Sequence, residues 1–322
     1  MCSPIRADRA VPDEPRMPEA VVDAHHHLWL LSSSGIRYPW LQDDYDPERF
    51  MLGPYAPLCA DFGVPDYRRA ARGVPVVASV HIEAECARSQ ALAETEWLHA
   101  VAARHSLPSA VVAWADLLAG DASEQLAEQA AWPLVRGIRF KPRTAARAGE
   151  SLPDGPGTLR DPRWGDALAR LASHGLAWDL RVPFWHLEEA AALLCNAPGV
   201  TVVLEHAGLP WDRSEQGLAQ WRRGMAALAE NPRVFVKLSE FGLRDSAWDD
   251  ARNTRIIRDA LAIFGWQRCM FASNFPVAGL RVAYPALIRL FAEALAGLDD
   301  IAARAVWHDN AMRVYRIEAR SG

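Results

Sequence analysis

The side chains best suited to chemistry in this sequence are a group of histidines close to its start. The run AVVDAHHH at 20–27 is apolar at first and then ends in Asp23, His25, His26 and His27. If this run is a β-strand, alternation places Asp23, His25 and His27 on one side and His26 on the other. Two imidazoles two residues apart on a strand can reach one metal ion or one oxyanion together. We therefore predict catalytic roles for His25 and His27, and the same pair is our candidate for metal ligands.

Polar side chains also end several later apolar runs. Glu83 ends the second run, where it could act as a general base or as a buried ion-pair partner. Arg139 in the fourth run could bind a carboxylate or a polyol oxygen of the substrate through bidentate hydrogen bonds. The alternative is an ordinary ion pair with an acidic neighbour. The sixth run ends in Glu205 and His206, and His206 is our third histidine of the site. The remaining predicted substrate contacts are Arg181, Lys237, Trp29 and Trp40.

Short apolar runs recur along the whole chain and set the expected framework. They share β-branched residues and near-continuous hydrophobicity, which suits strands that are buried on both faces. The runs are 20–27, 75–84, 109–117, 135–142, 175–183, 200–208, 234–241 and 269–277. Amphipathic stretches separate most of them, and one at 254–265 ends in a glycine, as helices often do.

This alternation predicts an α/β fold, a (β/α)₈ TIM barrel, with its active site at the C-terminal ends of the strands. A doubly wound open sheet is the alternative, but no G-x-G-x-x-G follows any of the runs, so a dinucleotide-binding fold has no support. We expect a flexible N-terminal tail at 1–18 and a single barrel domain at 19–322. A long loop insertion at about 28–74 is either a lid over the site or a subdomain that packs its own aromatic residues.

Composition limits the partners of the protein. The chain has 322 residues, half of them hydrophobic, with a formal net charge of −5, so neither nucleic acid nor an anionic membrane is expected as a partner. Its five cysteines are scattered, no secretory signal precedes the first run, and no apolar segment is long enough to span a bilayer. We therefore expect a cytoplasmic protein that binds a small-molecule substrate, as a monomer or a homo-oligomer.

Six ordered motifs carry a resemblance to a known family. They are DAHHHLW at 23–29, RGIRF at 136–140, EHAGLP at 205–210, VFVKLS at 234–239, MFASNFPV at 270–277 and HDNAMRVYRI at 308–317. In this order they resemble the amidohydrolase-2 branch of the amidohydrolase superfamily. That branch includes 2-pyrone-4,6-dicarboxylate lactonases and L-fuconolactonase-type sugar lactonases. The resemblance covers about residues 20 to 317.

The resemblance implies a metal-dependent-hydrolase-like barrel that hydrolyses an ester-like bond, most often in a lactone. It also implies that His25, His27 and His206 belong to the site. Two positions depart from the family. Asn274 stands where the superfamily usually has an aspartate that acts as general base and often as metal ligand, and the fifth run reads WDLRVP with no histidine before His186. We therefore expect either no cofactor or one divalent metal such as zinc.

The leading hypothesis is a lactonase that opens a sugar-acid or an aromatic or dicarboxylate lactone by attack of water on the carbonyl. The three histidines would stabilise the oxyanion, Arg139 would orient the substrate, and Asn274 would position water or substrate. The candidates for the base are Glu83, Asp179 and a neutral histidine. The alternatives are a metal-dependent decarboxylase or C–C hydrolase of the same superfamily, and a catalytically inactive barrel that acts as a binding protein.

Overall fold

The computed structural model describes residues 15–197 and 199–318, and these residues form an eight-stranded barrel. Each strand pairs in parallel with the next one along the chain. The strands are β1 (Val21–His26), β2 (Val76–Ile82), β3 (Ala110–Ala113), β4 (Val135–Ile138), β5 (Ala177–Leu180), β6 (Val202–Leu204), β7 (Val234–Leu238) and β8 (Cys269–Phe271). Every predicted run therefore contains one strand, and the predicted barrel is confirmed.

Helices follow most strands and surround the barrel. In the described residues they are α1 (Pro39–Gln42), α2 (Val64–Ala70), α3 (Ala91–His105), α4 (Ala122–Ala130), α5 (Trp164–Ser173), α6 (Leu187–Leu194), α7 (Glu215–Ala229), α8 (Asp250–Phe264), α9 (Tyr284–Leu295), α10 (Asp300–Arg304) and α11 (Asn310–Val314). Helix α8 ends, as the sequence indicates, before Gly265, whose φ of 77° is the left-handed conformation that glycine adopts without strain. No helix in this part of the chain is both long and apolar enough to cross a lipid bilayer.

The barrel closes between its last and first strands. Beyond the end of β8, the N–H of Asn274 donates to the carbonyl of His25 at 2.7 Å, and the N–H of His27 donates to the carbonyl of Phe275 at 2.8 Å. Small and branched side chains such as Val22, Val112 and Val203 fill the interior. The residues that alternate with them pack outward against the helices. Three of the predicted site residues, His25, His27 and Asn274, therefore take part in the backbone hydrogen bonds between β8 and β1.

Strand β1 is irregular, and this irregularity corrects one expectation. Its pairing with β2 shifts between Asp23 and His26. As a result Asp23 does not share a side with His25. Its carboxylate instead accepts hydrogen bonds from Tyr67 of α2 and Tyr284 of α9, on the helix side of the strand. Strict alternation fails here because a bulge moves every later side chain by one position.

The segment 28–74 forms a layer beside the mouth of the barrel. It contains α1, α2 and a cluster of buried side chains that includes Trp29, Tyr38 and Tyr55. The segment also reaches the site, because the sulfur of Met51 contacts the guanidinium of Arg181. Of the tail predicted at 1–18, residues 1–14 lie outside the described residues, and 15–18 have no regular secondary structure.

Candidate active site

The residues that follow the strands hold an unusual backbone conformation. Glu85, His206, Glu240 and Asn274 have φ values of 58°, 56°, 50° and 54°, and they come after β2, β6, β7 and β8. Left-handed backbone costs a residue other than glycine about 1–3 kcal/mol, and such strain is typical of functional sites. All four lie at the end of the barrel where this fold places its active site.

Three histidines meet at this end, as the sequence predicts. The Nε2 atoms of His25 and His27 are 3.2 Å apart, and the rings of His25 and His206 have centroids 4.6 Å apart. The Nδ1 atom of His206 lies 2.8 Å from the hydroxyl oxygen of Ser239, which fixes the orientation of that ring. All three imidazoles are buried.

Burial keeps these histidines neutral. It is the largest cause that lowers the pKa of His27 to about 3, and the positive charge of Arg139 adds to it. Burial also holds the pKa values of His25 and His206 well below 6.5, with further lowering from Lys237 at His25 and from Arg181 at His206. At neutral pH each ring therefore offers one N–H and one lone pair.

This histidine cluster has fewer N–H donors than it has buried acceptors facing one another. His27 Nδ1 must donate to the carbonyl of Ile82, 2.8 Å away, so its Nε2 is a lone pair that faces His25. If His25 donates to that lone pair, its own Nδ1 becomes a lone pair that faces Glu205 Oε1 at 3.6 Å. If it does not, two nitrogen lone pairs face each other. Either way two buried acceptors meet without a proton, and His25 Nδ1 and Glu205 Oε1 find no hydrogen-bond partner in the part of the chain that the structure describes.

A divalent metal fits this deficit. His25, Glu205 and His206 each offer one ligand atom, and these atoms lie within 4.8 Å of one another. Neutral imidazoles and a carboxylate are ligands that zinc accepts. The predicted ligand pair was His25 and His27, but the convergent group among the described residues contains His25, Glu205 and His206 and does not include His27. Glu205 ends the sixth run beside His206, and it was not among the predicted ligands.

Two of the predicted bases are occupied by other partners. The carboxylate of Glu83 accepts hydrogen bonds from Arg139 Nε at 2.7 Å, from Arg88 at 3.2 Å and from the N–H of Glu85 at 2.8 Å. The carboxylate of Asp179 pairs with the ammonium of Lys237 and accepts from the hydroxyl of Tyr315. Both carboxylates are buried, and burial raises the pKa of Asp179 to about 6 against the opposing effects of Lys237 and Tyr315. The third candidate base that the sequence offers is a neutral histidine.

The predicted cations differ in their freedom to bind a substrate. Arg139 is 4% exposed and is held by Glu83 and, at 3.4 Å, by Glu205, so it belongs to a buried ion network. Lys237 was expected to contact the substrate, but it is 0% exposed and paired with Asp179 inside the barrel. Arg181 is half-buried, its guanidinium contacts Met51 Sδ at 3.1 Å, and no carboxylate of the described residues lies within ion-pair distance. Arg181 is therefore the predicted cation that remains available.

The two predicted tryptophans also differ. Trp29 is 0% exposed and donates from its indole nitrogen to the carbonyl of Ala60, so it packs in the interior of the insertion. Trp40 is half-buried, donates to the carbonyl of Ala84 and stacks on Phe50 with ring centroids 5.7 Å apart. Of the two, Trp40 keeps an exposed surface that a ligand can contact.

A second carboxylate near the site was not among the predicted site residues. Glu240 follows β7, and its carboxylate accepts a hydrogen bond from the side-chain amide of Asn274. Burial is the largest cause that raises the pKa of Glu240 to about 7. The sequence places Glu240 directly after the motif VFVKLS, but only the meeting of β7 and β8 brings it to Asn274.

Comparison with known proteins assigns the family. The family model described as Amidohydrolase matches residues 22–317. The chain belongs to this amidohydrolase family. Among its relatives, an uncharacterized protein of Sinorhizobium fredii, y4mH, is 32% identical over 92% of this chain and 99% of its own length. An L-fucono-1,5-lactonase of Burkholderia ambifaria is 30% identical over 94% of this chain and 97% of its own length.

Solved structures agree with this assignment. An amidohydrolase from Burkholderia multivorans with bound zinc is 26% identical and superposes with a TM-score of 0.75, over 93% of this chain and all of its own. The family and the lactonase relatives together indicate a hydrolase. Zinc is bound in that amidohydrolase, and in this chain the ligand atoms of His25, Glu205 and His206 converge as a metal site requires.

Proposed function

We propose that this amidohydrolase is a lactonase that opens the lactone of a sugar acid. The observation that carries the proposal is the buried cluster of His25, His27 and His206 beside Glu205, at the mouth of the barrel. Such a cluster of imidazole lone pairs and a carboxylate suits a divalent metal, which would polarise a carbonyl and stabilise the oxyanion that forms when water attacks it. The relative named L-fucono-1,5-lactonase, 30% identical along nearly the whole chain, supports a lactone as the substrate.

The charges at the mouth favour an uncharged, hydroxyl-rich lactone over a dicarboxylate. A dicarboxylate substrate calls for two free cations, but Arg139 is held by Glu83 and Glu205, and Lys141 pairs with Glu85. Arg181 alone of the predicted cations has no carboxylate partner among the described residues. One guanidinium with several donors suits the hydroxyl and ring oxygens of a sugar-acid lactone.

The residues of the site would have separate roles in substrate binding and in hydrolysis. Arg181 would bind the ring substituents of the lactone and Trp40 would pack against its apolar face. A divalent metal held by His25, Glu205 and His206 would supply Lewis-acid polarisation of the carbonyl. His25 and His27 have no free N–H donor for the carbonyl oxygen, so the role of the desolvated His25 and His206 would be to hold the metal, in a site where electrostatic interactions are strong because water is largely excluded.

The test is a proton-release assay with a pH indicator, because opening a lactone at neutral pH yields a carboxylate and one proton. The panel contains 1,4- and 1,5-lactones of several sugar acids and one pyrone dicarboxylate. The blank is a His25→Ala/His206→Ala protein, and the matched control is His174→Ala, which changes an exposed histidine. Folding of all variants is checked by circular dichroism.

We expect the wild type and His174→Ala to release protons from at least one sugar-acid lactone, while the double variant does not. Turnover of the dicarboxylate alone would overturn the proposed substrate class. If no lactone is opened, the lactonase proposal fails, and loss of carbon dioxide from aromatic acids becomes the reaction to measure. Activity that survives in the double variant would remove the histidine cluster from the mechanism.

A further inference from the structure

The side-chain amide of Asn274 is held on one side only. Its backbone N–H donates to the carbonyl of His25 at 2.7 Å, so the residue lies directly beside the histidine cluster. Its Nδ2 donates to Glu240 Oε2, whereas its Oδ1 is buried and has no hydrogen-bond partner among the described residues. A buried acceptor without a donor is unfavourable until some group supplies the missing hydrogen.

Glu240 determines which way this amide points. An ionised carboxylate has no hydrogen to donate, so it can face the NH₂ group of Asn274 but not its carbonyl oxygen. With the NH₂ group turned to Glu240, Oδ1 must point in the other direction. Without Glu240, the two ends of the amide could exchange places by a rotation of about 180°.

Several neighbours fix Glu240 itself. Its Oε1 lies against Gly242, where an added Cβ would stand 3.0 Å from this oxygen and 3.2 Å from Leu52 of the insertion. The charged groups that face it are Arg181 from the end of β5 and Arg281 from the segment before α9. The left-handed backbone of both Glu240 and Asn274 aims the two side chains at each other.

We propose that Asn274 and Glu240 together replace the aspartate that would otherwise orient the attacking water. In this pair, Asn274 Oδ1 accepts a hydrogen bond from the water, and Glu240 is a positioning residue that keeps Oδ1 turned toward the site. The proposal rests on the proposed hydrolysis of a lactone. It differs from a role of Glu240 as proton acceptor, because Glu240 supplies only an oxygen that accepts a hydrogen bond from the amide and takes no proton from the water.

Two substitutions separate these roles. Glu240→Gln keeps an oxygen that can accept from Asn274, so kcat should stay within about threefold of wild type. Glu240→Ala removes that acceptor, and kcat should fall by about 10- to 100-fold with little change in KM, because the water loses its orientation. Glu215→Ala, which changes an exposed glutamate, is the matched control. Equal, large losses of kcat in Glu240→Gln and Glu240→Ala would overturn the proposal in favour of direct proton transfer to Glu240.

The pH profile is a further readout. Burial raises the pKa of Glu240 to about 7, and the protonated carboxyl keeps one oxygen that can accept from Asn274, as the amide of Glu240→Gln does. The activity of the wild type should therefore change by no more than about threefold from protonation of Glu240 as the pH decreases through about 7. A much larger decrease in the wild type that is absent in Glu240→Gln would count against the pair.

A measurement without substrate keeps this proposal separate from the proposed function. Selective ¹⁵N labelling of asparagine, with Asn274→Ala for assignment, reports the side-chain NH₂ resonances of Asn274 in the intact protein at pH 8. We expect a downfield-shifted NH₂ proton in the wild type that moves in Glu240→Ala and stays in Glu240→Gln. Resonances that do not respond to Glu240→Ala would overturn the pair whether or not a lactone is hydrolysed.

Discussion

The substitution Glu83→Gln tests whether the acid at the end of β2 is catalytic or structural. The sequence allows both roles. The structure shows a carboxylate with three donors: the side chains of Arg139 and Arg88 and the N–H of Glu85. In glutamine one oxygen becomes an NH₂ group, so at least one of these donors then faces another donor. The charge that balances the buried guanidinium of Arg139 is lost at the same time.

The magnitude follows from these contacts. Loss of a hydrogen bond to a charged group costs about 1.5–3 kcal/mol, and breaking a buried ion pair costs about 3–5 kcal/mol. Because Arg139 keeps Glu205 at 3.4 Å, we expect the lower part of that range, about 3 kcal/mol. With about 2.1 cal/mol/K of unfolding entropy per residue, the 322-residue chain has about 0.7 kcal/mol/K, so Tm should fall by about 4 °C.

Thermal unfolding followed by circular dichroism and turnover of the best lactone measure both effects. We expect the lowered Tm together with a kcat that changes by less than about tenfold, whereas loss of a general base costs about 10²–10⁴-fold. The control is Glu215→Gln, whose exposed pair with Arg255 should contribute little. An unchanged Tm combined with a loss of kcat above about a hundredfold would refute this reasoning and make Glu83 the base.

Four further results are expected. Lys237→Met should destabilise the fold by about 3–5 kcal/mol, because it leaves the buried carboxylate of Asp179 without its cation, and urea unfolding would show it. Arg181→Leu should raise KM with a smaller effect on kcat in steady-state assays, and an unchanged KM would remove it from substrate binding. Glu205→Gln should weaken zinc binding in titration calorimetry if this carboxylate is a ligand. Stability should fall as the pH decreases below 6.5, by up to about 1.4 kcal/mol per pH unit for each buried histidine, since unfolding lets these groups take up protons. Urea unfolding at pH 7.5 and 5.5 measures this loss of stability. The buried histidines with lowered pKa values are His25, His26, His27, His81 and His206.

The barrel could be predicted from the sequence because each strand and each helix has its own local hydrophobic pattern, and this pair of patterns repeats along the chain. Each apolar run is long enough to recognise, and the amphipathic stretches between the runs show the helical period. The position of the site follows from the fold, since the ends of parallel strands meet at one face. His25 and His27 come from the end of β1 and His206 follows β6, and the fold brings these two strand ends together as expected.

The roles of the charged residues could not be predicted in the same way. The sequence shows that Arg139 and Lys237 lie on strands, but not which acid each one faces across the barrel. Those partners are Glu83 and Asp179, 56 and 58 residues away along the chain. An ion pair of this kind depends on the register between strands that are not neighbours in sequence. The prediction that Asp23 shares a face of β1 with His25 was wrong for a related reason. The bulge in this six-residue strand has no recognisable pattern in the sequence.

The conformational strain and the unsatisfied acceptors of the site favour a catalytic barrel over one that only binds a ligand. Four residues other than glycine hold left-handed backbone at the mouth, at about 1–3 kcal/mol each. The sum is comparable to the net stability of a typical protein, about 5–15 kcal/mol. Two buried acceptors face each other in the histidine cluster, and within residues 15–197 and 199–318 a third, Asn274 Oδ1, has no donor. A barrel that only held a ligand could satisfy these groups with its own side chains. Here the unsatisfied acceptors lie at the point where a cation, a water and a carbonyl would have to meet during hydrolysis.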